Sequence, residues 1–405
     1  MHTIPRINVT PIENFSETFL QSIKSRKFLS GPDIKSFESA FAKYIGVKHA
    51  IAVTSGRIGM VLALESLKLK INDEVLLPAY TLRELIPLVK QLGLVPKFVD
   101  VNEHDFNMNM KKVESQITKK TKVIIATHLF GAPCEITQLM RIARKHNLYL
   151  VEDCTHALGA EYKSKKVGSI GDAGFFSFEV MKPINTLGGG IITTNDDKLA
   201  EKIRSIISKS KNPPLKSLAL KMFLVAGEKT ILNSPAYSCA MILLHSKKFK
   251  DRVKSMYQKS HRSHAKMTYK LANFQAMLGL KQLENIERSN SERIRKAHLY
   301  LKLLGEVKEI KLPKEKKGSN HIYYRFVITS DKAEKIYRYL INNNVDATMG
   351  NDIMQNCVEN ESSVNPEFSG TNFIIAKSIA LPISNTISES EIRYIAESVK
   401  ECLKV

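Results

Sequence analysis

The feature that most constrains this chain is an alternation, repeated through its first two-thirds, of a short β-branched run, a turn and a helix-like stretch. His49-Ala-Ile-Ala-Val-Thr54 reads as a strand and leads through Ser55-Gly56 into an apolar helical run ending near Leu67. Asp73-Glu-Val-Leu-Leu-Pro78 is followed by a helix over Arg83 to Leu92, and Val95-Pro-Lys-Phe-Val-Asp100 is the next strand. Lys122-Val-Ile-Ile-Ala-Thr127, a helix over Ile136 to His146, and Leu148-Tyr-Leu-Val-Glu-Asp153 continue the series. Strands alternating with helices predict a mainly parallel sheet covered on both faces. Ligands of such sheets gather outside the carboxyl ends of the strands, where Ser55, Tyr80, His128 and Asp153 all fall.

Past Phe249 the pattern changes to longer helical periodicity, with Asn273 to Leu283 the clearest amphipathic stretch. A strand over His321 to Thr329, a helix over Ala333 to Asn342 and a last helix from about Ser388 to Cys402 complete a smaller α/β unit. The expected division is therefore a large α/β/α domain over 1–249 and a small C-terminal α/β domain over 250–405. A length of 405 residues suits two such domains.

Composition enters mainly by exclusion. Apolar residues make 43% of the chain and charged residues 25%, which is globular rather than disordered. No apolar run reaches the length of a membrane span, and Met1 to Asn14 holds no apolar stretch of the kind a secretory signal needs. Five widely spaced cysteines, with no CxxC, predict neither a disulfide framework nor a metal site. The expected compartment is the cytoplasm. Charge is unusual at +21, and over residues 201–270 there are 16 Lys/Arg against Glu201, Glu228 and Asp251. This basic segment, with its apolar runs 218–226 and 231–244, would suit the anionic inner face of a membrane and a lipid-linked acceptor. The plainer expectation is solvated lysines, with the apolar runs in a subunit interface. Few aromatics and no recognised module argue against nucleic acid.

Four short segments carry the chemistry. Thr54-Ser-Gly56-Arg57 sits at a strand end and a helix start, where free N–H groups, the helix dipole and a guanidinium favour an anion. By itself such a start is more often only a helix cap. Val151-Glu-Asp153-Cys-Thr-His156 places a carboxylate at the end of a buried strand, where it must be paired or bonded. In Gly174-Phe-Phe-Ser177-Phe-Glu-Val-Met-Lys182-Pro183 a lysine lies within apolar sequence. Desolvation there disfavours its charged form, and the neutral amine is what Schiff-base chemistry uses. Gly188-Gly-Gly190 lets the backbone pass close to a ligand or to another strand. In this order they supply a phosphate cradle, a carboxylate, a hydroxyl and a lysine, the set that pyridoxal phosphate requires.

With these segments the chain resembles the DegT/DnrJ/EryC1/StrS family of pyridoxal-phosphate-dependent sugar aminotransferases. The likeness runs from GPDIKSFESAFAKYIGVKHAIAVTSG through LYLVEDCTHALGA and VGSIGDAGFFSFEVMKPINTLGGGIITTND to FQAMLGLKQLENI. It implies a fold-type-I transferase, with Lys182 as the lysine that bonds the cofactor and moves protons. Asp153 then pairs with the pyridinium nitrogen, His156 stands at the position of a Gln that contacts the ring hydroxyl, and Gly56, Arg57 and Ser177 bind the phosphate. The resemblance further implies a homodimer with shared active sites, Thr268 reaching the partner subunit's phosphate. Tyr80 and Lys270 would meet substrate. Four departures stand out: Arg57 for the usual Thr, His156 for Gln, Leu82 where an aromatic ring ordinarily stacks on the cofactor, and Thr268-Tyr269-Lys270 for the family's Asn-Tyr-Arg. Apolar packing at Leu82 must replace that stacking unless Tyr80 swings in.

The activity so implied is transfer of an amino group from glutamate or glutamine to a keto group, above all that of a nucleotide-linked keto-deoxy sugar. A dehydratase branch of the family carries histidine in place of the lysine, so Lys182 argues against it. Lys182 and Asp153 likewise argue against a homologue that has lost catalysis. A nicotinamide enzyme is poorly supported, since Gly168, Gly171 and Gly174 have the wrong spacing.

Overall fold

The computed structural model describes residues 3–6, 12, 14–232, 269–358 and 366–404. Its centre is a seven-stranded sheet of β1 (His49–Val53), β2 (Glu74–Pro78), β3 (Val95–Val99), β4 (Thr121–Thr127), β5 (Tyr149–Asp153), β6 (Ala173–Ser177) and β7 (Gly190–Thr194), in the spatial order β1-β7-β6-β5-β4-β2-β3. Strands β6, β5, β4, β2 and β3 pair in parallel, whereas β7 runs antiparallel to both β6 and β1. Strand β2 is buried along its whole length, and its Val75-Leu-Leu77 run is what a central parallel strand requires.

Alternation along each strand feeds two apolar layers. On one face Val75, Leu77, Val123, Ile125, Val151 and Phe175 pack against α3 (Gly56–Ser66) and α4 (Leu85–Gln91). On the other, Leu76, Ile124 and Leu150 meet α5 (Ile136–Lys145). Phe176 and Phe178 continue that face against Phe37 and Phe41 of α2 (Asp33–Ile45) and Ala276 of α8 (Asn273–Glu284).

Helix α8 departs from the amphipathic reading, since residues 273–279 are all buried. The reason is its position, pressed between α2 and the 185–190 loop. Its polar side chains are spent inside: Gln275 Nε2 donates to the Thr186 and Gly188 carbonyls at 2.9 Å, and Gln282 Nε2 to Asn185 O at 2.8 Å.

A second core gathers around β8 (Phe326–Thr329), β9 (Thr348–Met349) and β10 (Ser378–Leu381), ordered β8-β10-β9 and wholly antiparallel. Tyr300 of α9 (Ile286–Leu304), Leu340 of α10 (Ala333–Asn342) and Ile395 of α12 (Glu389–Lys404) fill it. The expected boundary at 250 lies outside the described residues. Around it the structure differs from the expected division in two ways: α8 packs with the first body, and the N-terminal residues join the second. Ile4 is part of the second core, and Arg6 pairs with Asp346 at 2.8 Å. The bodies are tied directly, Tyr80–Thr81 pairing with Gln355–Asn356 and Asp100 accepting from Gly370 N and Thr371 N.

Candidate active site

At the carboxyl edge of the sheet, β1, β5 and β6 deliver Gly56, Asp153 and Ser177 side by side. Gly56 opens α3 after Ser55, whose Oγ accepts from Ile58 N at 3.2 Å and so caps the helix. A Cβ on Gly56 would lie 2.9 Å from Ser177 Cβ and 3.2 Å from Thr155 Cγ2, so only glycine lets these three meet. Gly190 is equally confined, its virtual Cβ 2.7 Å from Gly56 N, while Gly188 and Gly189 take φ values of +95° and +122°. The triple glycine is therefore the backbone that seats β7 against the start of α3.

Asp153 is buried. Its Oδ1 accepts from Thr155 N at 3.0 Å and Thr155 Oγ1 at 2.7 Å, and no donor among the described residues reaches Oδ2. Burial pushes its pKa above the usual carboxylate range, and the Thr155 bonds and the Lys182 charge only partly offset this. Lys182 is half-buried, with its Nζ 5.0 Å from the centre of the Tyr324 ring and hydrogen-bonded to that phenol.

His156 stacks between Phe130, at 6.2 Å and 15°, and Tyr324, at 4.5 Å and 24°. Its Nδ1 is buried without a partner among the described residues, and burial together with the charges of Lys182 and Arg325 holds the ring well below the ordinary imidazole pKa. It is thus a neutral ring with an orphaned nitrogen, a group prepared for a ligand.

The structure brings Gly56, Asp153, His156, Ser177 and Lys182 to one place. Arg57 is half-exposed on the first turn of α3. Leu82 packs among the apolar residues beside α3 and α4. The idea that Tyr80 swings in to meet cofactor or substrate is corrected: it is fully buried, and its hydroxyl donates to Gly350 O at 2.7 Å. Lys270 donates its backbone N–H to Lys211 O at 2.9 Å and is not among the groups around Lys182. Thr268, Cys239 and most of the basic 201–270 segment lie outside the described residues.

Tyr324 and Arg325, from the second body, are the site residues that the sequence reading missed. The run His321-Ile-Tyr-Tyr-Arg325 carried the signal, an arginine among aromatics just before a buried strand.

A buried carboxylate with one open oxygen, an amine beside it, an unpartnered imidazole and a glycine-cleared helix start fit pyridoxal phosphate. The sequence matches the DegT/DnrJ/EryC1/StrS aminotransferase family over residues 10–400. The chain belongs to that family. Among its relatives, the GDP-perosamine synthase of Caulobacter vibrioides is 39% identical over 53% of this chain and 58% of that protein. The dTDP-3-amino-3,6-dideoxy-alpha-D-galactopyranose transaminase of Aneurinibacillus thermoaerophilus is 27% identical over 97% of this chain and 96% of its own. The first three curated relatives are matched over 48% to 58% of their length, so the chain spans about half the length of those curated relatives. The solved aminotransferase from Psychrobacter cryohalolentis superposes with a TM-score of 0.79 at 25% identity, covering 98% of both chains. The family fold is thus the fold-type-I transferase expected from the sequence. Among the described residues no helix is long and apolar enough to cross a membrane.

Proposed function

We propose that this DegT/DnrJ/EryC1/StrS member is a pyridoxal-phosphate-dependent aminotransferase that takes an amino group from glutamate or glutamine and gives it to a keto carbon of a nucleotide-linked deoxy sugar. The observation that carries this is the buried Asp153 with Lys182 beside it, across a floor cleared by Gly56 for Ser177. The named activities of the perosamine synthase and of the dTDP-sugar transaminase support the acceptor class.

When bound, the cofactor supplies an electron sink conjugated to the substrate carbon. Asp153 is the anion that would face its ring nitrogen, with Thr155 fixing the carboxylate plane through two bonds to one oxygen. His156 would offer its free ring nitrogen to the ring oxygen, held flat between Phe130 and Tyr324. Ser177, Gly56 and Arg57 would hold the phosphate, Arg57 replacing a hydroxyl contact by a charge-assisted one. Lys182 would take up and return a proton at its Nζ, as general base in one direction and general acid in the other. Tyr324 lies against this amine, its ring centre 5.0 Å from Nζ, and would help to orient it.

The same reading makes the protein a homodimer, with Thr268 and Lys270 facing the partner's site. It also covers the apolar side of α7 (Leu215–Leu232), where Leu220 and Phe223 are exposed, by a second copy rather than by lipid. Sedimentation at micromolar concentration should give a dimer. Binding to anionic vesicles at low salt, by a chain that sediments as a monomer, would favour the membrane instead.

The deciding experiment is spectroscopic. The purified protein should carry a visible cofactor band that disappears on adding glutamate while one 2-oxoglutarate is released per site. A Lys182→Ala variant should lack that band. A protein that cannot be loaded with pyridoxal phosphate would refute the reading.

A further inference from the structure

The residues around Tyr324 hold more positive charge than the described structure neutralises. Arg325 places its guanidinium carbon 5.9 Å from the centre of the Tyr324 ring, against which Lys182 also lies at 5.0 Å. Its Nε is buried without a partner, and its side chain makes no hydrogen bond or ion pair among the described residues. The charged groups acting on it are Tyr324, Arg6 and Tyr80, with no carboxylate among them. Arg6 is no help, being itself a cation, and the nearby acid Asp346 is held by Arg6 at 2.8 Å through both oxygens. Arg293, which is buried, spends Nη1 on the neutral Asn290 Oδ1 at 3.0 Å, and among the described residues Tyr324 is the titratable group that acts on it.

Arg325 is half-buried, and only its Nε is shut away from solvent, which leaves the outer edge of the fork open to an incoming anion. A buried guanidinium nitrogen without a partner or counter-charge is costly, and an arriving anion relieves it. Burial holds the pKa values of both arginines below the usual value, that of Arg293 at about 10, while the three cations together draw the Tyr324 phenol below its own despite burial. At neutral pH both arginines remain charged.

We propose that Arg325 is the carboxylate subsite for the amino-acid donor, with Arg293 adding charge beside the same Tyr324 ring. This rests on the reading of Lys182 as the amine-transfer centre. Two anions could come near such a site: the carboxylate of the donor and the diphosphate of a nucleotide sugar. A donor's α-carboxylate is one carbon from the amine that reacts and must lie within a few ångströms of Lys182. A sugar's diphosphate is separated from its keto carbon by several bonds, and so belongs farther out. The planar fork of Arg325 also matches a carboxylate in two parallel bonds, and the Tyr324 ring that it borders at 5.9 Å is the ring that Lys182 borders at 5.0 Å.

The test uses glutarate, a dicarboxylate that cannot transaminate, titrated calorimetrically into the cofactor-loaded protein, with GDP and dTDP titrated in parallel. Arg325→Met should weaken glutarate by about ten- to a hundredfold, and Arg325→Lys by less, while nucleotide affinity stays as in the parent. Unchanged nucleotide binding also shows that the variant is folded. The proposal is overturned if the parent does not bind glutarate, if Arg325→Met binds it as the parent does, or if the nucleotides weaken instead. Should glutamate fail to change the cofactor spectrum of the parent while glutarate still depends on Arg325, amine transfer from glutamate is refuted and the donor assignment falls with it, leaving Arg325 as a carboxylate site alone. Should glutamate react equally well in the parent and in Arg325→Met, transfer stands and the subsite is refuted.

Discussion

Glu152 and Asp153 are neighbours at the end of one strand, both buried, and they do opposite things. The two-residue period of β5 sends them to opposite faces of the sheet. Glu152 accepts from His128 Nε2 at 3.1 Å and from the N–H groups of Gly168, Ile170 and Gly171 at 2.6 to 2.9 Å. His128 is fixed for this task, since its Nδ1 accepts from Cys134 N at 3.1 Å and leaves the Nε2 proton for Glu152. Burial raises the Glu152 pKa, but these bonds outweigh it and the carboxyl sits below its ordinary value. Asp153, with Thr155 as its only donor residue among the described residues, sits above. Equal burial and unequal donor supply separate a carboxylate that is finished from one that is waiting. Glu152 folds the loop that leads into β6, and Asp153 has an oxygen to offer.

The contrast can be broken most sharply at Asp153. Asp153→Asn should lower the half-reaction rate on the order of 10²–10³-fold without lowering the thermal midpoint, because an under-supplied buried carboxylate stabilises nothing. Rapid-mixing absorbance and calorimetry on the same sample would show both. Glu152→Gln should do the reverse, costing about 3 kcal/mol of stability in denaturant titration, since its amide hydrogens would face backbone donors. Turnover per folded site should survive. If instead Glu152→Gln spared stability and abolished turnover, the division of labour drawn here would be wrong.

His321 extends the contrast to a base. Its Nδ1 accepts from Tyr323 N at 2.9 Å, and burial holds its pKa at about 3 against an ordinary 6.5. The unfolded chain takes up a proton there below pH 6.5 and the folded one does not. Stability should therefore be full above that pH and fall as pH drops towards 3, by up to about 1.4 kcal/mol per pH unit for this group. His321→Gln should flatten that slope in acid-denaturation curves. The smallest effect is expected at Thr155. Thr155→Val removes one donor from Asp153, costing about 1 kcal/mol in stabilisation of the anion and moving the acid limb of the rate profile to higher pH.

How much of this was legible in the sequence follows from distance along the chain. The strands, the Asp153-to-Lys182 order and the glycine triple are local patterns, and the parallel sheet followed from them. Asp153 stood out because a charged residue ended an apolar run, but Glu152 looks the same there, and only the fold shows that Gly168 to Gly171 return to wrap it. Tyr324 and Arg325 left only a faint local signal, an arginine among aromatics before a strand, because their site partners Lys182, His156 and Phe130 lie far away in sequence. The ties between the bodies bring them in. Leu82 was readable as a lost aromatic ring. That Tyr80 could not take its place depended on Gly350, far along the chain. The buried character of α8 was hidden for a similar reason: Gln275 and Gln282 look like a polar face until the carbonyls that they satisfy are known.

The seating of Ile4 and Arg6 in the second core has a consequence for how the molecule is made. Arg6 and Asp346 are separated by 340 residues. On a ribosome the first of these emerges long before the second, and the large body has all of its strands in hand while the N-terminal segment still lacks its seat. Closing a loop of that length comes late and contributes little to the early folding rate. The segment thus acts as a fastener set last, and a newly made chain carries Ile4 in the open until the final third of its synthesis is done.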